Sequence, residues 1–143
     1  MDVLKYDVAA AVVRHARESA PDECCGLLLG PMVAASRFGR TVADIVDAAP
    51  ARNIADDAAS RFLIDPADHF SAIRAARGRG LEVVGFYHSH PHAPVEPSAQ
   101  DLAEFSYPRH LYLIVSLRAD PAEVGVFRFE RGNFQRLSFV TVA

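Results

Sequence analysis

Leu81 to His90, LEVVGFYHSH, constrains the fold more than any other stretch of this chain. It is long, β-branched and aromatic, the composition of a strand buried on both faces at the centre of a sheet. Such a strand needs neighbouring strands on either side and helices to cover it.

The rest of the sequence supplies both. Asp7 is placed to cap a helix running to about Ala20, with Val8, Val12 and Val13 on one side and Pro21 ending it. CCGLLLG, within 23–30, reads as a buried strand, and TVADIVDA, 41–48, as a second. Residues 50–60 read as loop and RFLID, 61–65, as a return to strand. Asp65-Pro66-Ala67-Asp68 starts a helix with a capping carboxylate, a first-turn proline and an acid three residues after the cap. Phe70 and Ile73 are expected to face inward from it, and Gly78 and Gly80 to stop it. Ser98-x-x-Asp101 opens a short helix through about Ser106. HLYLIVSL, EVGVFRFE and NFQRLSFVTV then close the chain as strands, the last two joined around Arg131-Gly132-Asn133. The expected architecture is one α/β domain over 1–143, a mixed sheet flanked by about three helices and antiparallel towards its C-terminal end.

Composition excludes several classes of function. A net charge of −3 argues against sequence-independent nucleic-acid binding, which needs a cationic face. No apolar run approaches the ~20 residues that span a bilayer, and the N-terminus lacks the basic start and apolar core of a signal peptide. Cys24 and Cys25 are adjacent and cannot build a disulfide framework, so a reducing cytoplasm is the expected location. The sequence carries no signal of oligomeric state.

The strand ends in chemistry. In a strand, residues two apart point to one face at roughly 6–7 Å, so His88 and His90 can aim at one ion while Ser89 turns away. Asp101, in the first turn of the next helix, can return through the proline-rich 91–97 loop. Two imidazoles and one carboxylate suit zinc and leave a fourth position open for water. The competing reading of Ser98-x-x-Asp101 is a capping box alone. Other His-x-His families do not fit. A metallo-β-lactamase would need Asp-His where His92 and Ala93 stand, a cupin would need a glutamate closer than Glu96, and an amidohydrolase barrel needs ~200 residues or more.

His88-Ser89-His90-Pro91, followed by Ser98 and Asp101, resembles the JAMM motif of the MPN-domain metalloproteases without a gap. Glu23, before the apolar strand in PDECCGLLLG, matches the glutamate that the family places early in the chain. The resemblance covers nearly the whole chain and implies the cytidine-deaminase-like fold with a curved mixed sheet. It also implies one zinc per chain held by His88, His90 and Asp101, with Glu23 as proton shuttle and Ser98 as donor to the tetrahedral oxyanion. Compact stand-alone prokaryotic members act on ubiquitin-like sulfur-carrier or modifier proteins, trimming C-terminal extensions or releasing conjugated amines. A zinc peptidase or isopeptidase with such a carrier as partner is therefore expected, with no nucleic-acid or membrane partner. An extended carrier tail is expected to add a strand near 53–64. A zinc amidohydrolase of small acylated amines and a non-catalytic MPN scaffold are the alternatives. His92, past Pro91, is expected on the loop surface. Cys24 and Cys25 should face opposite sides without a nucleophilic role, and His15, His69 and His110 should be ordinary surface or strand-edge histidines.

Overall fold

The computed structural model describes residues 2–31, 44–99, 101 and 110–143. Leu81 to His90 is observed almost entirely as strand, β5 (Glu82–His90). It lies inside a six-stranded sheet ordered β4-β2-β5-β6-β7-β8, the others being β2 (Cys25–Gly30), β4 (Asp47–Ala51), β6 (Leu111–Ser116), β7 (Glu123–Glu130) and β8 (Asn133–Leu137). β5 runs antiparallel to β2 and parallel to β6, and the β6-β7-β8 meander is antiparallel, as the helix-free end of the chain predicted.

Both faces of this sheet are covered. On one, α1 (Tyr6–Ser19) packs Val8, Val12 and Ala16 against Leu28, Tyr87, Leu113 and Val115. On the other, Ala72 of α2 (Pro66–Gly78) joins Leu27, Phe86, Tyr112, Ile114 and Phe127. Each fully buried aliphatic side chain contributes roughly 1.5–3 kcal/mol. Two helices are therefore complete among the described residues. The third expected helix begins at Ala99 and Asp101, and 102–106 lie outside the described residues.

Several boundaries differ from the sequence reading. β1 (Asp2–Lys5) precedes α1, so Lys5 occupies the cap position and Asp7 sits in the first turn, where its charge still faces the positive end of the helix. The expected strand over 41–48 is observed as β3 (Asp44–Ile45) and β4, 41–43 falling outside the described residues. β4 runs on through Pro50 and Ala51, where a loop is expected; it is an outer strand paired on one side only, the place in a sheet that tolerates a proline. RFLID contributes only an isolated Asn53–Ile64 bridge. The last expected strand breaks at Ser138 into β8 and β9 (Phe139–Val142). β9 leaves for a three-stranded sheet, β3-β1-β9, in which β1 pairs both neighbours in parallel. Phe70 is 62% exposed. The inward face of α2 is Ala72 and Ala76, whose small side chains let the helix lie close on the sheet.

One contact fixes which way β5 faces. Gly26 pairs with Tyr87, and a Cβ at Gly26 would enter the Tyr87 ring. That ring is buried on the α1 side, where its hydroxyl meets His15 Nδ1 at 2.8 Å. With Tyr87 committed to that face, His88 must point to the other. Gly26→Ala should destabilise the fold by about 1–3 kcal/mol through overpacking. The check is a lower denaturant midpoint at unchanged slope, and an unshifted midpoint would mean that the ring has room to move.

Candidate metal centre

His88 and His90 leave the end of β5 on one face and are 2% and 3% exposed. Ser89 points the other way and ties in the preceding chain: its Oγ accepts the Cys24 N–H at 2.8 Å, and its own N–H donates to Cys24 O at 3.1 Å. This extends the β2–β5 pairing one residue beyond Cys25–His88 and delivers Glu23 to the histidines. The Glu23 N–H donates to Ala58 O at 2.8 Å, and Asn53 Nδ2 donates to Glu23 O at 2.9 Å. One ligating atom each from Glu23, His88 and His90 lies within 4.8 Å of the others.

Asp101 completes the group. Its Oδ2 is 3.2 Å from both His88 Nε2 and His90 Nε2, which are themselves 3.2 Å apart. The same oxygen accepts the Ser98 N–H at 2.8 Å, while the Asp101 N–H donates to Ser98 Oγ at 3.0 Å. The capping box and the convergence on the histidines thus coexist, and the box holds the carboxylate in place.

The donor atoms fit a small dication. A tetrahedral ion with ligand bonds of ~2.0–2.1 Å has ligand–ligand edges of roughly 3.3–3.4 Å, close to the observed 3.2 Å triangle. His90 Nδ1 donates to Pro94 O at 2.8 Å, which turns the Nε2 lone pair inward. Pro94 is held by its neighbour, because Ser116 Oγ donates to Ala93 O at 2.6 Å. Phe62 stacks on His88 with centroids 4.4 Å apart, closing one side to water. Burial pulls the His88 imidazole below its ordinary pKa, which favours the neutral, ligating form. Burial opposes ionisation of Asp101, yet its close contacts with the His88 and His90 imidazoles and the Ser98 N–H outweigh that and hold the carboxyl well below the usual range. A buried anion beside two imidazoles is a site suited to a cation.

Every residue singled out in the motif is thus brought together, while His92 is exposed on the loop as expected. Asn53, Phe62, Pro94 and Ser116 carried no signal in the spacing. His15, His69 and His110 are not plain surface residues: each is half-buried, His15 against Tyr87 and the other two against the Phe86 ring. Cys24 and Cys25 do face opposite core clusters. Burial pushes their thiols up to about 11 and about 12, respectively. Thiolate is then scarce at neutral pH, so a thiol-alkylating reagent and the Cys24→Ala change should both leave turnover within about twofold of the untreated protein. Strong inactivation by either would give a cysteine a part in the chemistry.

The fold and this site define the JAB/MPN class of peptide-bond hydrolases. Residues 5–131 match the family described as prokaryotic homologs of the JAB domain, and the chain belongs to that family. It is 38% identical over 117 residues to the desampylase of Haloferax volcanii, covering 79% of this chain and 78% of that one. Against the CysO-cysteine peptidase of Mycobacterium tuberculosis it is 32% identical over 119 residues, 83% of this chain and 75% of the relative. The solution structure of a protein from Desulfitobacterium hafniense superposes with a TM-score of 0.84 at 27% identity, covering 99% of this chain and 93% of that one.

Proposed function

We propose that this protein is a zinc-dependent peptidase or isopeptidase acting at the C-terminus of ubiquitin-like sulfur-carrier or modifier proteins. The observation that carries this is the buried triangle of His88, His90 and Asp101 with the Glu23 carboxylate beside it. The names of the relatives support the substrate class: one is a desampylase and another a CysO-cysteine peptidase.

In this reading His88, His90 and Asp101 hold the zinc. When bound, it supplies Lewis acidity, making water more acidic and polarising a carbonyl oxygen. Glu23 accepts a proton from the attacking water and passes it to the leaving amine as the C–N bond breaks. The Ser98 hydroxyl accepts from the Asp101 N–H, so its own proton is available to the oxyanion.

The carrier tail runs extended along 53–64. There Asn53 and Ile64 form an antiparallel bridge and the Ile54 N–H donates to Leu63 O at 2.9 Å. Ile54 and Leu63 are 47% and 44% exposed, an apolar pair beside the site. Ile54→Asp and Leu63→Asp should each raise KM about tenfold with kcat little changed, since both act on binding alone. Unchanged KM in both would move the tail elsewhere. The parent reading is tested by incubating β-grasp carriers bearing C-terminal extensions with and without a chelator and weighing the products. Cleavage after the Gly-Gly tail that a chelator abolishes is expected, and intact carriers would overturn it.

A further inference from the structure

The sheet order divides the surroundings of the site into two flanks. Glu23 and the 53–64 segment lie on the β2–β4 side of β5, whereas β7 and β8 lie on the other. A substrate whose tail enters along 53–64 and is cut beside His88 and His90 must therefore send its leaving group towards β7 and β8. A cavity of about 430 Å³ lies there. Pro97 and Ser98 form one side, and Phe127, Asn133, Phe134 and Arg136 the other. It is continuous with the catalytic side through Ser98, the residue bonded to Asp101.

We propose that this cavity is the leaving-group subsite and that Arg136 binds the free carboxylate of a short leaving peptide; the inference rests on the peptidase reading above. Among the described residues Arg136 is the one cation on the cavity wall, and its guanidinium lies over the Phe127 ring with Cζ 5.8 Å from the centroid. That cation–π contact keeps the guanidinium on the cavity side of β8. Among the described residues no carboxylate pairs with it. Glu96 also lines the cavity and repels an anion from its own side, which favours the Arg136 end. Strand order and register set the reach. Phe127, under the guanidinium, is on β7, two strands from β5, and aligns through Tyr112 with Phe86, two residues before His88. Two strand spacings and two residues of rise combine to about 12 Å. An extended chain advances roughly 3.3–3.6 Å per residue, so the group read by Arg136 is about three or four residues past the scissile bond.

The test uses a β-grasp sulfur-carrier protein whose Gly-Gly tail is extended by one to four alanines, each made as free acid and as C-terminal amide. The unsubstituted protein should cleave the three- and four-residue acids with kcat/KM about tenfold or more above the matching amides, the worth of a charge-assisted hydrogen bond. Arg136→Gln should bring that ratio to near one while leaving the amides' kcat/KM unchanged. An acid-to-amide ratio that Arg136→Gln leaves untouched overturns the subsite, as does an equal rate across all extension lengths. Loss of chelator-sensitive cleavage for every substrate with the unsubstituted protein would instead remove the peptidase reading, and this inference with it.

Discussion

Glu23→Gln is expected to fold, retain close to one zinc per chain and lose turnover by about 10²–10⁴, the usual worth of general-base assistance. Gln keeps the size of the side chain and its hydrogen bonding but cannot take a proton at neutral pH. The main-chain contacts that position residue 23, to Ala58 and Asn53, do not involve the carboxylate and persist in the variant. Binding of the carrier tail should persist too, because the apolar pair of Ile54 and Leu63 is untouched. Metal analysis, tail affinity and cleavage rate measured on one preparation separate the roles. A fully active variant would remove Glu23 from the chemistry, and a metal-free one would make it a ligand.

The parts of the site that the sequence reveals are those set by local geometry. His88 and His90 share a face because strands have a period of two, and Ser98 and Asp101 meet because a helix start brings a residue to the third one after it. Glu23 is different. Nothing in the residues around it distinguishes a buried glutamate from an exposed one before a strand. Its place depends on β2 pairing with β5, a long-range choice, so only the family resemblance singled it out. Phe62 and Asn53 owe their places to the same kind of contact, across the excursion between β4 and α2. The small sheet was hidden for a related reason. β1 is only four residues long, and so short a run carries too little periodicity to separate strand from loop; β9 lies within NFQRLSFVTV, which reads as strand, but its departure at Ser138 to pair with β1 is a long-range choice. The inward face of α2 was misread because the larger Phe70 and Ile73 outweighed two alanines. Close approach of a helix to a sheet selects the small side chains, and hydrophobicity does not record that.

Removing a donor should have the largest effect on the metal itself. Four-ligand structural zinc sites are worth about 10–16 kcal/mol at pH 7, so one donor of a three-residue set carries roughly 3–4 kcal/mol, or about 10²–10³ in affinity. Asp101→Ala should therefore leave the protein nearly free of zinc after dialysis against a weak chelator, with cleavage at background. The variant also deprives the Ser98 N–H of its acceptor, which threatens the helix start as well as the metal. Asp101→Asn separates the two: its amide oxygen can still accept from Ser98 while the anion is gone, so the helix start survives and the zinc is still lost. Ser98→Ala is the converse. It removes the hydroxyl that accepts the Asp101 N–H, at about 1 kcal/mol for a lost cap, but leaves the carboxylate beside the histidines. It should keep its zinc and lose rate. Zinc content, circular dichroism and cleavage on all three variants decide the matter. Zinc retained at one per chain by both Asp101 variants would show that His88 and His90 hold the ion with another partner, and Asp101 would then be a capping residue alone.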